Sequence, residues 1–204
     1  MPGIIAYGGY VPRLRLQRKS MVEANAWFNP GLAAYGKGER AICNWDEDAV
    51  TMAVAAARDC LGQAPQTLDA IYLASTTMPF QDRQCATLLA TALDLPEGIE
   101  TLDLTTSQRA GTSALIAGLK RGGSALVVAT EHRRTKAASQ LELLYGDGAA
   151  ALLLGPGDGI AKLIATHSVS ADFVDHFRGE GESFDYLWEE RWIRDEGYMK
   201  IVPQ

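Results

Sequence analysis

The chain has 204 residues, 47% of them hydrophobic and 22% charged, which supports one sizeable core or two small ones. A formal charge of -6 and a pI near 5.1 argue against a nucleic-acid binder, and the longest basic run, Arg133 to Lys136, carries only three charges and reads as a solvated loop. No stretch reaches the ~18 apolar residues that span a bilayer, and the opening Met1-Pro2-Gly3-Ile4-Ile5-Ala6 has neither a charged segment nor a cleavage signal, so a cytoplasmic protein is expected.

The opening GIIAYGGYVP is an apolar run closed by glycines and Pro12, which predicts a buried strand and a turn. Residues 13–44 show no sustained period and read as short helices and loops. From Asn44 the pattern changes: acidic residues precede the Ala-rich AVTMAVAAARDCL, and Gly62 follows as a C-cap, which predicts a helix. After a turn containing Pro65, AIYLAST at 70–76 reads as a strand and QDRQCATLLATALDL at 81–95 as a helix.

The unit then repeats. IETLDLT at 99–105 is strand-like, AGTSALIAGLKRGG at 110–123 helical, and SALVVATE at 124–131 an apolar strand. GDGAAALLLG at 146–155 and GIAKLIATHSVSAD at 159–172 are further candidate strands. Strands separated by helices of this length form a parallel sheet with crossover helices, so the centre of the chain is α/β. From His176 onward the chain is rich in charge and in Trp, Tyr and Phe, more than a disordered tail carries, and is expected to pack on something.

Cys43, Cys60 and Cys85 are odd in number and scattered, without CxxC or Cys/His metal spacing. They read as free thiols, with no metal expected. His132, at the end of an apolar strand, reads as a capping or loop histidine, and His167 and His176 offer no ligand spacing.

Three segments carry a resemblance. GIIAYGGYVPRLRL at 3–16, with NWDEDAVTMAVAAARDCL at 44–61, is similar to the opening strand and first long helix of archaeal and bacterial HMG-CoA synthases. DLTTSQRAGTSALIAGL at 103–119 resembles the strand, nucleophile turn and buried helix shared by those enzymes and ketoacyl-ACP synthases of the III type. YGDGAAALLLG at 145–155 resembles the family's GDGA turn and the strand behind it.

The resemblance implies a thiolase-like half of βαβαβαββ type, a mostly parallel mixed sheet with flanking helices. Residues 1–170 would form this half, and 171–204 a charged, aromatic connection or docking tail. The superfamily draws one active site from two such halves, so the missing half is expected from a homodimer, from a separately encoded chain, or from the remainder of a truncated protein.

Gln108 stands where the family carries its nucleophilic cysteine, and an amide neither ionises nor attacks. Thr76 stands where HMG-CoA synthases carry the acid/base glutamate, which puts HMG-CoA synthesis itself in doubt. Arg109 and Ser107 are the neighbouring candidates for binding substrate, and Gly146, Asp147 and Gly148 a structural turn. The implied chemistry is that of acyl-CoA or acyl-carrier thioesters: the thioester is substrate, no cofactor is held permanently, and Arg133 to Lys136 could meet its phosphate. Loading-type ketosynthase domains resemble this site in carrying Gln and decarboxylate malonyl groups without condensing them, and other relatives without the cysteine cleave carbon–carbon bonds through an enolate. The remaining alternative is a non-catalytic assembly subunit.

Overall fold

Acidic residues ahead of an Ala-rich run do start a helix at the expected place. Asp48 accepts a hydrogen bond from the Thr51 backbone N–H at 2.8 Å, and the Thr51 hydroxyl accepts one from the Asp48 N–H at 2.7 Å, a reciprocal cap. The helix closes at Gly62, whose φ of +61° is open to glycine at little cost.

The computed structural model describes residues 2–62, 67–157 and 159–203, so the expected turn at Pro65 lies outside the described residues. In chain order the elements are β1 (Pro2–Tyr10), β2 (Leu14–Gln17), α1 (Arg18–Asn25), a 3-10 turn at Pro30–Tyr35, β3 (Glu39–Ile42), α2 (Ala49–Leu61), β4 (Ala70–Ala74), α3 (Cys85–Ala92) and β5 (Glu100–Leu104). Then come α4 (Ala110–Arg121), β6 (Ala125–Glu131), α5 (Gln140–Leu144), β7 (Gly148–Pro156), β8 (Ala161–Lys162), β9 (His176–Phe177) and β10 (Tyr186–Leu187). The helical end comprises α6 (Glu190–Trp192), a π turn at Ile193–Tyr198 and α7 (Met199–Ile201).

Six strands form one sheet in the order β5-β4-β6-β7-β1-β8. The pairings make β1, β4, β5 and β6 run one way and β7 and β8 the other, a mixed and mostly parallel sheet. Helices α2 and α3 cover one face, with Ala53, Ala56, Ala57 and Leu89 fully buried against Ile71, Leu73, Leu126 and Val128. Helix α4 covers the other face through Ala110, Ala114 and Gly118, packed on Tyr72, Val127 and Leu154. Such small residues let a helix approach a sheet closely; a Cβ on Gly118 would stand 2.7 Å from Leu154 Cδ1.

Three expectations are corrected. Residues 13–44 contain a two-stranded antiparallel ribbon, β2 with β3, which short runs without alternation did not reveal. Only Ala161–Lys162 of the strand expected at 159–172 is paired. The helix expected over 81–95 begins at Cys85, because its cap comes from another element. Asp103 on β5 accepts hydrogen bonds from the Cys85 and Ala86 amides at 2.6 and 2.7 Å, and residues 81–84 are left outside the helix. Asp103→Ala is expected to cost about 2 kcal/mol in urea unfolding, since it removes one carboxylate from two helix amides. An unchanged midpoint would mean that α3 is capped by something else.

Candidate functional site

The turn from β5 into α4 is where the chemistry was expected, and its backbone is strained. Thr106 has φ +66°, unusual for a β-branched residue. Its neighbours are laid out by short local bonds: Ser107 Oγ accepts from the Arg109 N–H at 3.1 Å, and Ser107 O accepts from the Ala110 N–H at 2.9 Å. Gln108 therefore precedes the first turn of α4, and residues 105–109 are all exposed.

Gln108, Ser107 and Thr76 line one cavity of about 1160 Å³. Arg109 is not among its lining residues, and its guanidinium donates to Ser168 Oγ at 3.3 Å. The cations in the wall are instead Arg133, Arg178 and Arg83.

Thr76 is held tightly at the end of β4. Its N–H and hydroxyl donate to the two Glu131 carboxylate oxygens at 2.7 and 3.0 Å, and Thr77 Oγ1 adds a bond of 3.1 Å to the same carboxylate. The hydroxyl is thus spent on positioning the loop. Glu131 was not singled out in the sequence; only its place at the strand end adjoining β4 brings it there.

The largest surprise is the tail. Asp172 to Asp185 supplies much of the cavity wall, including His176 and Arg178. Asp185, with its side chain 1% exposed, pairs with Arg133 at 2.7 Å and with Arg178 at 3.5 Å. Arg178 also donates to the Thr76 carbonyl oxygen. Arg133, expected in a solvated loop, is consequently a nearly buried anchor that also lies over the Tyr145 ring, 5.4 Å from its centre. Burial pushes the Tyr145 phenol up, with Arg133 opposing the shift. His176 Nδ1 is 2.7 Å from Asp175 Oδ1, an arrangement that orients an imidazole. Stacking of Phe173 on Trp192 at 4.7 Å and the Tyr186, Trp188 and Trp192 ring contacts pack the tail on itself. The sequence signal was its aromatic content, which gave no direction.

Asp147 accepts a hydrogen bond from the Cys43 N–H at 2.8 Å. Gly146 and Gly148, expected to supply turn geometry, have no positive φ. Gly148 allows close approach instead: a Cβ there would lie 3.3 Å from the Tyr10 carbonyl oxygen. Cys60 and Cys85 are buried free thiols and Cys43 is half-buried.

Burial, then the Asp147 carboxylate, pushes the Cys43 thiol up to about 12. Since only the thiolate is nucleophilic, its alkylation by iodoacetamide in the EDTA-treated protein at pH 8 is expected to be roughly 10³-fold slower than that of an ordinary cysteine and to rise with pH throughout the alkaline range. A rate that levels off between pH 8 and 9 would contradict this assignment.

No family model matches the chain. Its sequence is 30% identical over 198 residues to the hydroxymethylglutaryl-CoA synthase of Methanocaldococcus jannaschii, covering 90% of this chain and 56% of that protein. It is also 30% identical over 193 residues to the hydroxymethylglutaryl-CoA synthase of Pyrobaculum aerophilum, covering 89% and 55%. The chain spans little more than half the length of these relatives.

Among solved structures, an HMG-CoA synthase complexed with CoA matches with a TM-score of 0.80 at 18% identity, over 99% of this chain and 54% of that one. The 3-oxoacyl-(acyl carrier protein) synthase III of Pseudomonas aeruginosa matches with a TM-score of 0.77 at 23% identity, over 95% and 66%. These likenesses show the thiolase-like α/β fold. Among the described residues no helix is long and apolar enough to cross a membrane.

Proposed function

We propose that this chain, homologous to the hydroxymethylglutaryl-CoA synthases over about half their length, is the thioester-binding component of a thiolase-superfamily acyltransferase assembly. Its Gln108 stabilises an enolate instead of carrying an acyl group. The observation that supports this reading is that Gln108 lines one cavity with an Asp175-oriented imidazole and with Arg133 and Arg178. The substrate class is an acyl-CoA or acyl-carrier thioester bearing a carboxylate or a β-hydroxyl.

With a malonyl-type thioester, the bond from the α-carbon to the carboxylate breaks and carbon dioxide leaves. The electron pair passes into the thioester enolate. The Gln108 amide N–H donates a hydrogen bond to the oxygen that gathers this charge, which needs no covalent intermediate. His176, replenished from solvent, returns a proton to the α-carbon. A retro-aldol cleavage uses the same enolate. The arginines offer planar donors suited to carboxylate or phosphate oxygens.

Calorimetric titration with acetyl-CoA and malonyl-CoA tests the binding half of the proposal. Malonyl-CoA is expected to bind, and Arg178→Ala to weaken it roughly tenfold or more. Absence of heat with either thioester, alone or with a co-purifying chain, would contradict a thioester site.

A second reading concerns assembly. Residues 105–109 are exposed, Thr112 and Lys120 on the outer side of α4 face solvent, and β5 is an open sheet edge on which Leu102 is 41% exposed. An uncovered edge beside a cavity favours completion by a second thiolase-like half, from another chain or a second copy. In such an assembly the chain could also act without catalysis, holding an active partner.

A further inference from the structure

Away from the cavity, three chain segments meet at one end of the sheet and bring together a thiol, an imidazole and a carboxylate. Cys43 follows β3, His132 follows β6 and Asp147 precedes β7. One ligand atom of each, the Cys43 sulfur, a His132 ring nitrogen and an Asp147 carboxylate oxygen, lies within 4.8 Å of both others. The sequence hides this, because the residues belong to no short motif.

Two details separate the group from an ordinary polar cluster. His132 Nδ1 lies 3.1 Å from Asp147 Oδ2, within ion-pair distance, yet this buried nitrogen makes no hydrogen bond among the described residues. Buried nitrogens are rarely left in that condition. The Asp147 side chain is 4% exposed and its Oδ2 is already fixed by the Cys43 amide, so the carboxylate is pre-positioned. The Cys43 sulfur stands 3.6 Å from Met52 Sδ, where the buried thioether closes the apolar side.

We infer that Cys43, His132 and Asp147 bind one zinc ion, with the fourth position left to water. Zinc accepts mixed sulfur, nitrogen and oxygen ligands in a tetrahedron, whereas magnesium and calcium take oxygen alone. Binding releases the thiol proton to solvent, and the imidazole nitrogen and carboxylate oxygen each donate a lone pair; no electron changes hands. Tetrahedral bonds of about 2.0 to 2.3 Å set ligand atoms roughly 3.3 to 3.8 Å apart, a spacing that lies between the 3.1 Å from His132 Nδ1 to Asp147 Oδ2 and the 4.8 Å that bounds the whole group. His132 has room to adjust because its side chain is 40% exposed. The ion would tie the end of β6 to the start of β7. It would thereby fix Arg133, the next residue, which lines the cavity.

The test uses the whole protein, stripped with EDTA and titrated with Zn²⁺ and with Co²⁺. One equivalent of either is expected, with a thiolate-to-cobalt charge-transfer band for Co²⁺ and a higher thermal midpoint with Zn²⁺. Cys43→Ser and His132→Gln should each weaken binding at least about 100-fold and abolish the thermal shift, while Cys60→Ser changes neither. The cobalt band on the unmodified protein needs no variant and so stands even where one misfolds. Failure of the stripped protein to bind, binding without that band, or equal binding in Cys43→Ser and His132→Gln would overturn the inference.

Discussion

Replacing Asp185 by Ala is expected to free the tail from the body of the protein and to cost about 3–5 kcal/mol, near 10 °C in thermal midpoint for a chain of this size. The reason is the imbalance it leaves. Asp185 is the buried carboxylate facing both Arg133 and Arg178, whose side chains are 12% and 24% exposed. Without it two guanidinium groups crowd one cavity wall unpaired, and the hold of Arg178 on the Thr76 carbonyl weakens with them. Limited proteolysis reads the local part of the effect: cleavage within 171–204 should become at least tenfold faster, while the sheet stays folded. Asp185→Asn, which keeps the shape and one acceptor oxygen but sets an NH₂ donor against the second guanidinium, should fall between. A midpoint and cleavage rate unchanged by Asp185→Ala would show that the tail is held by other contacts.

Leu102→Glu is expected to have the second large effect, on assembly instead of folding. Leu102 lies on the sheet edge, already half exposed, so the change costs the isolated chain little. In an interface it would bury an unpaired carboxylate, and association should weaken by about 100-fold or more. Light scattering is expected to give the unaltered protein a mass above the 22.0 kDa of one chain, as a second copy or a second half joins it, and the variant a mass of 22.0 kDa. An unaltered protein that is monodisperse at 22.0 kDa, with no partner bound, would contradict the reading of β5 and α4 as an assembly face.

How far the sequence showed these features depended on how local their causes are. Helix α2 was legible to its ends because its cap, its small-residue stripe and its terminal glycine all lie within Asp48 to Gly62. Helix α3 was overextended because Asp103, some 17 residues further on, decides where it starts. The place of Gln108 at the strand-to-helix turn followed from the pattern of 103–119. The rest of the cavity did not: Arg178 reaches Thr76 across 102 residues and Asp185 reaches Arg133 across 52. Charge and aromatic content said only that the tail would pack, not where. Arg109 was the natural candidate cation by proximity, but the first turn of α4 carries it toward Ser168.

Whether Gln108 serves an enolate is decided by mass-spectrometric turnover of malonyl-CoA, comparing the unaltered protein with Gln108→Ala in the presence of any co-purifying chain. Conversion to acetyl-CoA is expected with no acylated protein intermediate, and a loss of roughly 10²-fold or more in Gln108→Ala at unchanged binding. Equal turnover in the two proteins, or none in either while malonyl-CoA binds, would contradict that role and leave this chain as the partner that holds an active subunit in place.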